Sequence, residues 1–272
     1  IMDDEDRAAA VPETVNKMVA DGHTFLFKAG AGLGSFYEDV ECAAVGATLA
    51  AMAMFIGMQG SSSATTVLFQ SYFGSDPALK EVAMKASGLI MLIGYLPMFL
   101  FMPFIKNIVN KYGKKEACAV GAAVSSVGGL LMFLPLGPGI AGLVGYMIAQ
   151  ALFGFGLGFY TCVSWALMAD AIDYSEWKFG SKEEGTVYSL HSFFRKLAQG
   201  LGPSIVLVIM VALGYVEANE GNQLFAVAQN MRYLVPALYL FSAAMQFVGL
   251  ALIYNLDKKT LATMQAELAE RK

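Results

Sequence analysis

The sequence predicts an all-α integral membrane protein with six transmembrane helices. The chain is 57% hydrophobic and only 15% charged, whereas a soluble domain sits nearer half apolar and a quarter charged. Its apolar runs recur at lengths that cross the hydrocarbon layer, which takes about 20 residues of helix. Basic residues then collect in alternate connections between those runs, as orientation in a membrane requires. The same composition excludes other classes. A net charge of −4 with no basic stripe argues against nucleic acid as a partner. The 3 cysteines, Cys42, Cys118 and Cys162, stand far apart among small apolar residues and read as buried thiols. With only two histidines, His23 and His191, no metal-ligand spacing exists, so a metal site is not expected. No nucleophile and base stand paired, and no enzyme is expected.

Residues 1–41 read as a polar cytoplasmic lead-in with a short interfacial segment. Asp3, Asp4, Glu5 and Asp6 form a charge run, Pro12 is a breaker, and no basic-then-apolar signal peptide is present. The apolar piece from Phe25 to Gly34 is too short to span and is closed by Glu38, Asp39 and Glu41. Its Gly30, Gly32 and Gly34 lack the third interval of a dinucleotide fingerprint and the Lys-Ser/Thr ending of a phosphate loop.

A six-helix transmembrane domain is expected over residues 42–256. The first span, Cys42 to Phe73, turns polar at Gln59, Ser61, Ser62, Ser63, Thr65 and Thr66. Those hydroxyls either glue helices together or line a wet cavity. The second, Val82 to Ile108, carries Pro97 and Pro103, tolerated in membranes where neighbours re-satisfy the freed carbonyls. The basic turn Asn110 to Lys115 leads into the third span, Ala117 to Leu134, and the short turn Leu136 to Gly139 makes the third and fourth spans antiparallel neighbours. The fourth, Ile140 to Met168, contains Gly154, Gly156 and Gly158, which suit close helix approach. A polar hinge rich in acids, bases and aromatics follows from Ala169, then the fifth span, Val187 to Val216, and the sixth, Tyr233 to Tyr254. Residues 257–272 are expected to form a cytoplasmic amphipathic tail.

Lys106, Lys111, Lys114, Lys115, Lys178, Lys182, Lys258, Lys259, Arg271 and Lys272 all fall on one side of this layout, opposite Lys80 and Arg232. Both termini are therefore expected in the cytoplasm, in a multi-pass protein of the cell membrane. Six helices dividing three plus three at Leu136 to Gly139, with kinking prolines and polar residues at mid-depth, describe one half of a secondary transporter, built as an inverted repeat.

The stretch Asp170-Ala-Ile-Asp173-Tyr174-Ser-Glu176-Trp-Lys178, then Glu184-Gly-Thr-Val-Tyr188-Ser, Phe193-Phe-Arg-Lys196 and Gly200-Leu-Gly-Pro203, resembles the loop and eleventh helix of the glycoside–pentoside–hexuronide:cation symporters. These form the melibiose-carrier family within the major facilitator superfamily. Asn110 to Lys115 is similar to that superfamily's basic turn between its eighth and ninth helices, and the resemblance covers about Cys42 to Lys259. It implies a C-terminal half of a sugar or glycoside carrier driven by Na+, H+ or Li+, alternating between inward- and outward-open states. The family's cation-binding carboxylates lie on its N-terminal half, which has no counterpart here. That half, the sugar, the monovalent cation and the lipid bilayer are therefore the implied partners, and no cofactor is implied. Alternatives of other classes are a non-transporting module that assembles with a partner and a homodimeric carrier of another small solute.

Candidate site residues fall into two groups. Asp170, Asp173 and Glu176 share a helical face at the end of span four, where acids oppose the helix dipole unless cations pair with them. Lys178, Lys182, Arg195 or the basic turn would supply those cations in an ion-paired gate, the alternative being a solvated helix end. For substrate, Lys196 lies about ten residues into span five, roughly 15 Å along the axis. A lysine at mid-bilayer costs about 2.5–3.5 kcal/mol, so it should face a wet cavity or a carboxylate. Ser192 and His191 lie beside it, and the resemblance places all three in the sugar and cation cavity. Tyr160 and Trp165 are either packing residues or a platform for a sugar ring. Gln150, Ser164 and the Ser61 to Thr66 hydroxyls offer donors and acceptors for sugar hydroxyls.

Overall fold

A computed structural model describes residues 37–180 and 184–270, and among the described residues every regular element is helical. Of the lead-in expected over residues 1–41, residues 1–36 lie outside them, and residues 37–41 instead open the first described helix. Helix α1 (Tyr37–Phe55) continues through a π-helical turn, Ile56–Gly60, into α2 (Ser61–Leu68) and a second such turn, Phe69–Phe73. Then follow α3 (Lys80–Tyr112), α4 (Lys114–Leu131), α5 (Ile140–Phe179), α6 (Glu184–Ala212) and α7 (Phe225–Phe247), which runs on as a π-helical turn over Val248–Ile253. The closing helix is α8 (Lys258–Glu270).

Five of these are long and apolar enough to cross a membrane: Cys42–Phe73, Lys80–Tyr112, Ile140–Lys178, Val187–Ala212 and Phe225–Ile253. The expected third span, α4, is not among the five; it is 18 residues long and opens on Lys114, Lys115 and Glu116. Among the boundaries that differ from expectation, three bear on the site or on a buried charge. The polar stretch expected as a hinge from Ala169 continues α5 to Phe179, because Asp170, Asp173 and Glu176 keep helical spacing and no breaker comes before Gly180, whose φ is 69°. Helix α6 stops at Ala212, short of Val216, just before Gly214 with its φ of 94°. Helix α7 begins at Phe225, two turns before Tyr233, and so buries Arg232, which the expected sixth span leaves in a loop. Its guanidinium donates to the carbonyl oxygens of Met132 and Leu134, capping the end of α4, where cations are favoured.

Helix α5 is the axis of the bundle. Half of its most apolar stretch is buried, against 17% for α3 and 22% for α6, which stand at the outside. Lipid offers no hydrophobic drive between helices, so close van der Waals approach must hold them together. Glycine supplies it at two crossings. Gly156 of α5 lies against Gly121 of α4, and a Cβ built on Gly121 would sit 2.7 Å from the Gly156 carbonyl oxygen. Gly154 meets the backbone of Gly94 in α3 in the same way. The close helix approach expected of Gly154 and Gly156 is therefore present.

Two hydrophobic clusters fill the bundle. One, at the end bearing the Leu134 to Gly139 turn, gathers Leu68, Phe69, Phe73, Tyr146, Phe153 and Met231. There the Tyr72 hydroxyl donates to the Leu136 carbonyl at 3.0 Å and pins the turn. The other, at the basic end, gathers Ala43, Ala47, Tyr160, Leu167, Tyr174, Leu250 and Tyr254, and takes in Leu261 and Met264 of α8. Helix α8 is thus docked, with Trp177 Nε1 donating to Glu267 at 2.6 Å and Lys258 Nζ to the Lys111 carbonyl at 2.9 Å.

Candidate functional site: a basic-end ion pair and an aromatic-cation cluster

The tight turn at Gly113, with φ of 106°, swings the start of α4 back beneath the extended end of α5. Lys114 Nζ then reaches both carboxylate oxygens of Asp170, at 2.6 and 2.8 Å. The Asp170 side chain is 4% exposed and that of Lys114 24%, so water screens the pair weakly. Of the cations expected opposite these acids, the structure chooses the basic turn for Asp170. Asp173 and Glu176 are half-buried farther along the same helix. Lys178 is exposed and lies over the rings of Trp177, at 4.8 Å, and Tyr174, at 5.8 Å.

Arg195 does not join that end, which corrects its expected place in the gate. Its guanidinium carbon sits 4.8 Å from the Trp165 ring centroid and 5.5 Å from that of Phe55. Helix geometry is the reason. His191 and Arg195 are one turn apart on α6 and present the same face, and that face meets Trp165 of α5 well inside the bundle's length. The His191 ring stands edge-on to Trp165 at 5.9 Å, while Tyr188, one turn earlier, stacks on Trp165 at 5.8 Å. His191 Nδ1 lies 3.0 Å from Thr48 Oγ1, which fixes the imidazole against α1. Trp165 keeps 46% of its surface exposed and Tyr188 51%. Arg195 Nε is buried with no hydrogen-bond partner among the described residues. No described carboxylate lies within ion-pair distance of it. Its guanidinium lies against two rings, and its N–H groups are donors without a carboxylate among the described residues.

Ser192 is half-buried, and Lys196 is exposed with no partner among the described residues. Counted from Glu184, Lys196 lies about 18 Å along α6, near the middle of that helix. Tyr160 stands apart from this cluster: it is 1% exposed and its hydroxyl donates to the Ala47 carbonyl at 3.0 Å. Its ring fills the basic-end core, the packing alternative that the sequence leaves open for it. Gln150 is elsewhere too. It precedes Trp165 by fifteen residues on α5, about 22 Å of helix, and lines a separate cavity of about 160 Å³ with Ser62, Thr65, Thr66 and Ser87.

Phe55 and Thr48 belong to the cluster without any signal in the sequence, and Tyr188 stands in the sequence only as part of the motif that carries the resemblance. Thr48 and Phe55 are seven residues apart and so share one helix face, but nothing in their types separates them from packing residues. Among the described residues no group of three or more His, Cys, Asp or Glu is placed to hold a metal ion.

Comparison with known proteins gives two family matches. The model of the MFS/sugar transport protein family matches residues 51–258, most of the chain, and that of the alanine dehydrogenase/PNT N-terminal domain matches residues 1–57. Among similar proteins, the uncharacterized symporter YjmB of Bacillus subtilis is 30% identical over 227 residues, which are 82% of this chain and 46% of that protein. The glucuronide carrier protein homolog of Escherichia coli is 32% identical over 158 residues, 58% of this chain and 32% of its own. The isoprimeverose transporter of Lactiplantibacillus pentosus is 29% identical over 222 residues, 79% of this chain and 43% of its own. The match thus spans less than half the length of each of these relatives.

Proposed function

The chain belongs to the MFS/sugar transport protein family, and from that premise we propose that it is the C-terminal half of a cation-coupled carrier for sugars or glycosides. It is a multi-pass membrane protein, with five described helices long and apolar enough to span. In the proposal α4 is the sixth span and both termini face the cytoplasm of the cell membrane. An N-terminal half covers the exposed flanks of α3 and α6 and holds the coupling cation, Na+ or H+.

The observation that carries the reading is the Trp165–Arg195–His191 cluster. The half-exposed rings of Trp165 and Tyr188 suit the apolar face of a sugar ring. Charged donors at membrane depth are expensive and therefore mark a pathway. Arg195 and Lys196 bring two such donors to α6, which favours a sugar bearing an acid group, as a glucuronide does. Charge-assisted hydrogen bonds to a carboxylate are the stronger kind. The Lys114–Asp170 pair closes the basic end as a latch that parts when the halves rock about the shared site.

The test is uptake into proteoliposomes under a sodium or proton gradient, by this chain alone and by the chain joined to an N-terminal half of the same family. Radiolabelled methyl glucuronide and isoprimeverose serve as probes. Uptake is expected from the joined protein only, and Lys196→Ala should abolish it with membrane insertion unchanged. Robust uptake by the chain alone would overturn the half-carrier reading. Normal coupled uptake by the Lys196→Ala protein would overturn the assignment of the site.

A further inference from the structure

The cavity between α2, α3 and α5 lies outside the cluster just described. It measures about 160 Å³ and is lined by Ser62, Thr65 and Thr66 of α2, Ser87 of α3 and Gln150 of α5. Thr65 is 3% exposed and Gln150 5%. Thr65 Oγ1 and Gln150 Oε1 have no hydrogen-bond partner among the described residues. Two buried polar atoms without partners are costly, and native structures satisfy such atoms with protein, water or ligand. Neighbouring hydroxyls are already spent within their own helix: Ser61 donates to the Gly57 carbonyl and Thr66 to that of Ser62, the latter at 3.1 Å. Thr65 and Gln150 are not.

The lining decides the class of ligand. It holds hydroxyls and an amide and no charged side chain, so an anion would find no cation there. A bare cation would be desolvated without a carboxylate to compensate it. An orphaned carbonyl-type acceptor beside an orphaned hydroxyl calls for neutral O–H groups. The volume is that of about five waters at roughly 30 Å³ each, comparable to one hydroxylated ring. The cavity also has an approach. Ser62 and Thr66 line in addition a cleft of about 630 Å³ whose other walls include Lys80, Glu217, Glu220 and Asn222. That cleft lies toward the end opposite the Lys114–Asp170 pair. Across it Lys80 Nζ donates to Asn222 Oδ1 at 2.7 Å, tying α3 to the loop before α7.

We propose that this cavity is a second, neutral sugar site, receiving one uncharged hydroxylated ring from the cleft through Thr65, Gln150 and Ser87, apart from the acid-bearing sugar of the Trp165 cluster. Gln150 and Trp165 are about 22 Å apart along α5, too far for one ring to touch both. The proposal rests on the sugar-carrier reading only for the choice of ligand.

The experiment is protection of a cysteine in the full chain, held in lipid nanodiscs. Cys42, Cys118 and Cys162 are replaced by alanine, Ser87→Cys is introduced, and its reaction rate with a methanethiosulfonate reagent is followed. D-glucose or D-xylose at saturation should slow labelling at least fivefold, while sodium chloride at the same osmolarity leaves it unchanged. Gln150→Leu and, independently, Thr65→Val should each remove the protection in protein whose melting temperature is preserved. Lys196→Ala should leave it intact. Equal rates with and without sugar would mean that the cavity holds water only and would overturn the proposal. Protection by sodium chloride in place of sugar, or loss of sugar protection in the Lys196→Ala protein, would overturn it as well. Failure of the uptake assay does not touch this readout, and absence of protection here leaves the uptake result standing.

Discussion

Removing Lys114 should loosen the basic end of the bundle. In the Lys114→Met protein Asp170 is left nearly enclosed, with its side chain 4% exposed and both former contacts, at 2.6 and 2.8 Å, gone. Breaking a buried pair by deleting one partner costs about 3–5 kcal/mol. The Lys114 side chain is 24% exposed, so water softens the loss and the lower end applies, about 3 kcal/mol. That is about a hundredfold in the folded-to-unfolded ratio, at about 1.4 kcal/mol per decade. Removing both charges, as in Lys114→Met with Asp170→Leu, leaves no uncompensated ion, and the double variant should recover most of the loss. The assay is a double-mutant cycle on denaturant unfolding in mixed micelles, followed by tryptophan fluorescence. A Lys114→Met protein within about 0.5 kcal/mol of the parent would place the pair among exposed ones, worth about 0–1 kcal/mol. Simple additivity in the cycle would show no coupling; either result refutes the latch.

Two further outcomes follow from the packing. Gly156→Ala puts a methyl group onto the Gly121 carbonyl and Ser125; α4 and α5 must part, and overpacking of this kind should lower stability by about 1–3 kcal/mol in the same unfolding assay. Asp257 begins α8 as its cap, accepting from the Thr260 backbone N–H at 2.8 Å, and that bond, followed by the Thr260 hydroxyl, holds its carboxyl below the ordinary range. A lowered folded-state pKa means that the stabilisation is present above the unfolded value near 4 and disappears as pH falls through the folded one. Docking of α8, read from the fluorescence of Trp177 against Glu267, should therefore weaken only below about pH 4, and Asp257→Ala should weaken it by about 1 kcal/mol at neutral pH.

How much of this was legible in the chain can be judged from particular residues. The spans of α1 to α3 and of α5 to α7 follow from hydropathy, because a backbone in hydrocarbon must satisfy its hydrogen bonds within the segment. That requirement acts on each segment alone and can be read along the sequence. The resemblance drawn from Asp170 to Lys196 and extended over Cys42 to Lys259 coincides closely with the family match over residues 51–258. The spacing of Asp170, Asp173 and Glu176 likewise foretold one face of a helix, although not that α5 would carry them unbroken to Phe179.

Choice of partner was not legible. Several bases could have met Asp170, and only the crossing of α4 beneath α5, set by Gly121 against Gly156 and by the turn at Gly113, gave it Lys114. The same crossings turned Arg195 onto Trp165 and away from the acids, buried Tyr160 with its hydroxyl on Ala47, and left Gln150 about 22 Å of helix away from the cluster it was grouped with. Arg232 looked like a loop charge until the carbonyl ends of α4 were placed against it. Hydropathy sums along one segment, so the sequence by itself determined which stretches enter the membrane. The meeting of two side chains depends on the rotation and crossing of two helices at once, and that only the tertiary structure decided.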